Sequence, residues 1–294
     1  MSEIMEKIFT VASPAHLDLS NIRGSVEIHP GQDGVIHVTA TKDVHSGDAT
    51  RTEIELSQEG DGTVKVATRF PEGAWSWLLG SFPCRVDYVV QAPRNCFLKI
   101  NAVSSVIHAE GFEGEFSFQS VSGELTLRSL TGPMKIKTVS GSMELAELNG
   151  DLRLNTVSGK VSGKRINGAL HLDTVSGNVS LGESNLPSVQ ASTVSGGMHY
   201  QTAFGAGPYR FNSVSGNVEL LVPPETQCAA ELHAISGQLS TKLPATSVSR
   251  HSGSQTIEVQ GGGVKVYLQS VSGDLSLASS TKSNSKSFHP LLQY

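Results

Sequence analysis

Residues 134–177 read MKIKTVSGSMELAELNGDLRLNTVSGKVSGKRINGALHLDTVSG, and in this stretch the tripeptide Val-Ser-Gly returns every eighteen residues. Related tripeptides precede and follow it: Val-Ser-Ser at Val103, Ile-Ser-Gly at Ile235 and His-Ser-Gly at His251. In this register Val-Ser-Gly begins at Val121, Val139, Val157, Val175, Val194, Val214 and Val271. The first five intervals, counted from Val103, are 18, 18, 18, 18 and 19 residues. A fixed period of this length predicts a repeat protein whose units stack on one another.

Each eighteen-residue unit divides into two strands. Leu148-Asn-Gly and Ile166-Asn-Gly lie midway between successive Val-Ser-Gly tripeptides. Within a half, apolar and polar residues alternate, as in Leu152, Arg153 and Leu154. A period of two predicts a strand with one buried face and one outer face.

The relation between units distinguishes two arrangements of these strands. Adjacent halves could pair as antiparallel hairpins, or equivalent halves of successive units could pair in parallel. Segments one full unit apart are more alike than neighbouring halves, since Thr-Val-Ser-Gly recurs at 138, 156, 174 and 193. We therefore expect an all-β, right-handed parallel β-solenoid of about ten eighteen-residue coils, with two strands in each coil.

Three regions follow from this pattern. Residues 101–278 carry the solenoid repeats, and residues 1–100 are interpreted as an N-terminal β-strand capping segment continuous with the solenoid. Residues 279–294 are Ser- and Lys-rich, which predicts a disordered tail. Trp75 and Trp77 belong to an aromatic-rich cluster in the N-terminal segment. The cluster is either a loop folded over the core or an exposed patch for a partner.

Composition limits the classes of partner. The formal net charge is -5 and only 17% of residues are charged, which argues against nucleic acid as a partner. No signal peptide or membrane-spanning segment is recognisable, so we expect a soluble, cytoplasmic protein. Three cysteines without a paired spacing favour buried free thiols: Cys84, Cys96 and Cys228.

Residues that could carry chemistry were placed in rows by the eighteen-residue period. One predicted outer row contains Lys135, Arg153, His171 and Gln190, which is a modest basic stripe for an anionic glycan or protein. No row stacks two carboxylates, as a glycosidase would require. The recurring serine lacks a partner acid or base, and we expect its hydroxyl to bond backbone or the next coil's serine at each corner. The sequence predicts no enzyme, no cofactor and no metal site.

The succession of strand, Asn/Thr-Gly, strand and Val-Ser-Gly, with the opening Ile22-Arg-Gly-Ser-Val-Glu-Ile28, resembles a bacterial family of β-strand-repeat, adhesin-like proteins of unknown function. The resemblance covers about residues 16 to 278. It implies a β-solenoid and association with the cell envelope, and it supplies no catalytic residues.

Three functions are compatible with these patterns. The first is a non-enzymatic scaffold or binding module for a protein or glycan. Its candidate binding residues are Lys135, Arg153, His171, Trp75 and Trp77. The second is a rod resembling bactofilins that self-associates end to end. The third is a polysaccharide-acting enzyme.

Overall fold

The computed structural model describes residues 2–71, 82–243 and 245–280. In these residues every regular element is a β-strand, which confirms the all-β class. The strands form two facing sheets, and both β2 and β7 continue from the first sheet into the second.

The first sheet contains, in spatial order, β4 (Glu53–Gln58), β5 (Val64–Arg69), the first part of β2 (Ala15–Pro30), the first part of β7 (Cys96–Glu110), β8 (Phe116–Ser122), β10 (Met134–Thr138), β12 (Leu152–Ser158), β14 (Leu170–Ser176), β16 (Val189–Ser195), β18 (Tyr209–Ser215), β24 (Val264–Ser272), β20 (Cys228–Ser236), β23 (Ser254–Val259) and β22 (Ala245–His251). The second sheet contains, in spatial order, β1 (Ser2–Thr10), β3 (Val35–Asp43), β6 (Arg85–Ala92), the second parts of β2 and β7, β9 (Leu125–Arg128), β11 (Met143–Asn149), β13 (Val161–Asn167), β15 (Val179–Leu186), β17 (Met198–Phe204), β19 (Val218–Val222), β25 (Leu275–Ser279) and β21 (Leu239–Thr241).

Equivalent strands of successive coils pair in parallel, as the repeat predicts. Leu152 lies beside Met134 and Leu170, one period away on either side. In the second sheet Met143 lies beside Val161 with the same offset. Like residues therefore stack on like residues, and the parallel solenoid is confirmed.

At both ends the order of coils in space differs from their order along the chain. The coil formed by β2 pairs directly with β7, although more than sixty residues separate the two strands. The solenoid stack thus begins at Ala15, within the segment that the sequence pattern placed outside the repeats. At the other end β24 lies between β18 and β20. The coil of β24, which is the last along the chain, therefore lies in space before the coil of β20, which precedes it along the chain. Ten coils, from β2 to β20 and β21, are stacked in the described part of the chain.

In the described residues antiparallel strands complete three of the four sheet edges at the ends of the stack, whereas the second sheet finishes at the C-terminal end in β21, which pairs parallel with β25. At the N-terminal end β3 pairs antiparallel with β6 and with β1, and β4 pairs antiparallel with β5. At the C-terminal end β23 pairs antiparallel with β20 and with β22. His251-Ser-Gly253, which resembles a coil corner in sequence, is instead the turn of the β22–β23 hairpin. An antiparallel addition interrupts the parallel template that a further coil would need.

The interior is a continuous apolar strip between the sheets. Leu154 and Leu172 have side chains that are 0% and 1% exposed. The threonine of each Thr-Val-Ser-Gly also faces inward, and Thr138 Oγ1 donates a hydrogen bond to Thr156 Oγ1 at 3.0 Å. Buried hydroxyls that bond one another avoid the cost of an unpaired polar group.

All three cysteines are free and buried, as predicted. Burial raises the pKa of the Cys96 thiol to about 12 and that of Cys228 to about 11. The reactive form of a thiol is the thiolate. Cys96 and Cys228 therefore pack as apolar side chains at neutral pH.

The corners require glycine because successive coils approach closely there. Gly141 has a φ of +125°, and a β-carbon on it would lie 1.9 Å from the carbonyl oxygen of Gly123 in the preceding coil. An L side chain rarely adopts that φ, and no real β-carbon approaches an oxygen so closely. The glycine of the repeated tripeptide is thus fixed by stacking as well as by the turn.

Candidate functional site: the outer face of the first sheet

The outer face of the first sheet consists of three columns of side chains that run along the stack. The first, here called the basic column, contains Lys99, Ser117, Lys135, Arg153, His171, Gln190 and Arg210. The second, the polar column, contains Asn101, Gln119, Lys137, Asn155, Asp173, Ser192 and Asn212. The third, the valine column, contains Val103, Val121, Val139, Val157, Val175, Val194, Val214, Val271 and Ile235.

The predicted row of Lys135, Arg153 and His171 is present and lies within the basic column. The three residues occupy paired positions on β10, β12 and β14. Adjacent strands in a sheet are about 4.8 Å apart, so the column presents one side chain at each such step. Lys135 and Arg153 are exposed, and His171 is half-buried.

A groove of about 650 Å³ follows the basic column, with Lys135, Arg153, His171, Gln190 and Arg210 among its lining residues. Its walls also include Pro133 and Pro208 at the beginnings of two strands, and the carboxylates of Glu115 and Asp151. A smaller hollow of about 470 Å³ connects the basic column with Lys137, Asn155 and Val157. The face is therefore an extended groove that crosses several coils.

The cations in the centre of this face are free of ion pairs within the described part of the chain. No salt bridge involves Lys135, Lys137 or Arg153 there. Several cations elsewhere on the outer faces are paired, for example Lys99 with Asp18 at 2.7 Å and Arg128 with Glu144 at 2.9 Å. Unpaired, adjacent cations favour a ligand that brings its own negative charge.

His171, unlike Lys135 and Arg153, has a carboxylate partner among the described residues. Its Nε2 lies 3.0 Å from Oδ2 of Asp173, two residues along the same strand. Asp173 thus neutralises the histidine end of the basic column, and the positive charge concentrates at Lys135, Lys137 and Arg153. The sequence pattern placed Lys135, Arg153 and His171 in one row without showing which side chains pair.

The valine column was not recognised from the sequence as an outer feature. Its valines are between 46% and 49% exposed and Ile235 is 75% exposed. Each valine follows an inward threonine, serine or alanine on its strand, so alternation places it on the outer face. That alternation, extended by one residue past the inward residue, was the signal that could have identified the column.

The serines of Val-Ser-Gly have a structural role in the coils where their hydrogen bonds are resolved. Ser122, Ser140 and Ser158 each donate a hydrogen bond to a valine carbonyl of the preceding coil, at 3.2, 3.3 and 3.4 Å. This confirms the predicted serine ladder for these three corners. The hydroxyls hold adjacent coils together.

The second sheet carries a ladder of opposite charges on its outer side. Glu147 Oε2 accepts a hydrogen bond from Ser129 Oγ at 2.8 Å, and Glu147 Oε1 lies 2.7 Å from Arg165 Nη2. The hydrogen bond from Ser129, then the guanidinium of Arg165, lower the pKa of the Glu147 carboxyl. Here Glu147 and Arg165 satisfy one another, in contrast to Lys135, Lys137 and Arg153 of the first sheet.

The remaining predicted binding residues, Trp75 and Trp77, lie outside the described residues. The structure therefore brings together Lys135, Arg153 and His171 and assigns no position to the two tryptophans. Within the described part of the chain, no helix is long and apolar enough to cross a membrane.

Fold and surface together define a parallel β-solenoid of stacked coils with a grooved outer face. The family model of Toastrack DUF4097 matches residues 15–278, and the chain belongs to this family. The matched range begins at the residue where β2 begins. The family resemblance noted from the repeat is confirmed.

The chain is also similar to solved structures of two bacterial proteins. The chain is 12% identical to a putative cell adhesion protein from Clostridium sporogenes, with 95% of this chain and 100% of that chain covered and a TM-score of 0.24. It is 14% identical to a putative adhesin from Parabacteroides distasonis, with 95% and 97% covered and a TM-score of 0.42. Comparison with curated proteins found no match.

Proposed function

We propose that the chain is a non-enzymatic binding scaffold whose outer face on the first sheet holds an extended, anionic glycan. The observation that carries this proposal is the group of unpaired cations at Lys135, Lys137 and Arg153, which lines the groove along the stack. Carboxylates of an acidic sugar chain would accept hydrogen bonds from these ammonium and guanidinium groups.

The neighbouring columns supply the other contacts that a sugar chain requires. Gln190 in the groove and Asn155 in the adjacent hollow present amides that can donate to and accept from sugar hydroxyls. The valine column borders the same face with apolar surface. A groove that crosses several coils suits a ligand that is itself an extended chain.

Two carboxylates in the groove are the feature that a polysaccharide-acting enzyme would use. Glu115 and Asp151 both line it, and Pro133 occupies the layer between them. Asp151 Oδ1 accepts a hydrogen bond from the backbone nitrogen of Ala169 at 3.1 Å, which gives this carboxylate a role at the corner. Binding without cleavage is therefore the function that we propose.

The test is a binding measurement with polygalacturonate as the anionic probe and dextran as the neutral one. We expect the double variant Lys135→Ala/Arg153→Ala to bind polygalacturonate at least about 10-fold more weakly than the wild type. The matched control, Lys160→Ala/Lys164→Ala, removes two cations from the groove on the second sheet and should bind within about 2-fold of the wild type. Equal losses in both variants, or equal binding of dextran, would refute the proposal. Release of new reducing ends during the incubation would instead support the enzyme.

Self-assembly into a rod is the structural alternative. In the described residues both sheets at the N-terminal end, and the first sheet at the C-terminal end, finish in antiparallel strands, which do not repeat the parallel pairing between coils; β21, at the C-terminal edge of the second sheet, pairs in parallel. We therefore propose that the chain acts without end-to-end polymerisation. Light scattering over a wide concentration range should give a constant mass, and a mass that grows with concentration would favour the rod.

A further inference from the structure

We infer that His29, His108 and Glu110 form a surface site for a divalent transition metal, with zinc as the ion that fits best. The three residues lie on the outer side of the second sheet, where the second parts of β2 and β7 pair in parallel. They are remote from the basic column, which belongs to the first sheet.

The register of two adjacent coils brings the donors together. Glu27 lies directly beside His108, and His29 is in contact with Glu110. The sequence spacing is two residues on each strand, so alternation directs all four side chains to the same outer face. Two histidines and two glutamates thus lie in a group of four. Each histidine has one glutamate as its neighbour on its own strand and the other glutamate as its neighbour on the adjacent strand.

The distances are close to those of a ligand set. His29 Nδ1 lies 3.2 Å from Glu110 Oε1, and His108 Nε2 lies 3.5 Å from Glu110 Oε2. One ligand atom from each of the three residues lies within 4.8 Å of the other two. Zinc binds nitrogen and oxygen at about 2.0 to 2.2 Å, so tetrahedral ligands lie about 3.3 to 3.6 Å apart. Small side-chain rotations would close the set around one ion.

Glu27 supplies the outer support that metal-bound histidines commonly have. Its Oε2 lies 3.9 Å from His29 Nε2, on the side of the ring away from Glu110. A carboxylate at the second ring nitrogen fixes the tautomer in which Nδ1 is the ligand. Water would complete the coordination, since zinc sites with three protein ligands keep one open position.

Nearby charge also favours a cation at this position. Arg128 on β9 is the neighbour of Glu110 on β7 in the register of the sheet. Its guanidinium is directed to Glu144 instead, with Nη2 2.9 Å from Oε1. In the described part of the chain the ion pairs of Glu110 are formed with the two histidines. Two imidazoles and a carboxylate together are a donor set found in zinc sites that keep an open position.

Other histidines on the outer faces provide the comparison. His171 pairs with Asp173 at 3.0 Å, and His199 pairs with Glu219 at 2.9 Å. Each of these pairs contains one imidazole and one carboxylate. Within the described residues, the His29, His108 and Glu110 group is the one that brings three such donors together.

The experiment is calorimetric titration of zinc chloride into the full chain after treatment with a chelator. We expect one zinc ion per chain for the wild type and at least about 10-fold weaker binding for His108→Gln and for His29→Gln. His171→Gln is the matched control, since it removes an outer histidine from a single pair, and it should bind zinc as the wild type does. Circular dichroism of each variant checks that the sheets are retained.

A second readout separates ligation from a general effect on charge. Cobalt(II) bound by the wild type should give the visible absorption of a four-coordinate ion, and this band should disappear in both His29→Gln and His108→Gln. Glu27→Gln should keep the band and weaken zinc binding by about 10-fold or less. The inference is overturned if the wild type binds no zinc, or if His171→Gln weakens binding as much as His108→Gln does.

Discussion

Replacing Gly141 by alanine tests the close stacking of the coil corners. The β-carbon would lie 1.9 Å from the carbonyl oxygen of Gly123, whereas real β-carbons essentially never approach another heavy atom within 3.0 Å. The two coils would have to separate locally by about 1 Å, in a stack whose strands lie about 4.8 Å apart. The residue would also keep a φ of +125°, which alanine rarely adopts.

Two effects set the magnitude. A non-glycine residue held in such a backbone region costs about 1 to 3 kcal/mol. Separation of the two coils also stretches the hydrogen bonds that join them beside the corner, from Ser140 N to Val121 O at 2.9 Å and from Val139 N to Ser120 O at 3.1 Å. Each lost hydrogen bond costs about 0.5 to 1.5 kcal/mol. We therefore expect Gly141→Ala to lower the free energy of unfolding by about 3 to 5 kcal/mol.

Two other glycines separate the steric effect from the conformational one. Gly62 has a φ of +88° with nothing within 4 Å of an added β-carbon, so Gly62→Ala should cost only about 1 to 2 kcal/mol. Gly60 also has open space and no positive φ, so Gly60→Ala should change stability by less than about 1 kcal/mol. Urea unfolding followed by circular dichroism measures all three variants. If Gly141→Ala costs no more than Gly62→Ala, the corners are not stacked as closely as described.

Three further predictions concern the interior, the outer face and a surface carboxylate. Tyr200→Phe should raise the free energy of unfolding by about 1 kcal/mol, because its buried hydroxyl has no hydrogen-bond partner among the described residues. Tyr88→Phe should lower the free energy of unfolding by about 1 to 2 kcal/mol, because the Tyr88 hydroxyl forms a buried hydrogen bond of 2.7 Å. Urea unfolding measures both variants, and equal effects of Tyr200→Phe and Tyr88→Phe would contradict this prediction. Leu154→Ala should lower the free energy of unfolding by about 3 kcal/mol, and Val157→Ala should lower it by about 1 kcal/mol or less, because the leucine is fully buried and the valine is 46% exposed. If Val157→Ala were the more destabilising change, the inner and outer faces of this strand would be misassigned. Glu147→Gln should be less stable than the wild type at neutral pH, because the hydrogen bonds that lower the folded-state pKa of Glu147 stabilise the fold only while its carboxyl is ionised. This difference in the free energy of unfolding should begin to shrink as the pH falls below the ordinary glutamate value of 4.5 and should disappear once the pH is below the lowered folded-state pKa; a difference that stays constant from neutral pH to below 4.5 would refute the assignment.

The repeat made the middle of the chain predictable. Between Phe116 and Ser195 each coil stacks on its predecessor, so residues eighteen or nineteen positions apart are neighbours. The rows that contain Lys135, Arg153 and His171 could therefore be written from the sequence. Side-chain pairing inside a row depends on rotamers and reach, so the bond from His171 to Asp173 required coordinates.

The ends were not predictable from the period. Ile22-Arg-Gly24 forms a corner beside residues 103–105, and this opening was noted as similar to the repeat without being placed in the stack. The proposed metal ligands also depend on the stacking of β2 on β7, because His29 and His108 are far apart in sequence and become adjacent only through it. A search for local ligand spacing could not have found them.

Alternation and period, both local properties of the sequence, determined that this protein is a parallel solenoid and which side chains face inward. Tertiary structure alone decided which coils are neighbours at the two ends, and hence which outer side chains meet there. The physical reason is that similar coils present similar edges, while the entropy of closing a longer loop grows only slowly with its length. A distant coil can therefore be inserted at little extra cost, and its position depends on how the whole stack packs.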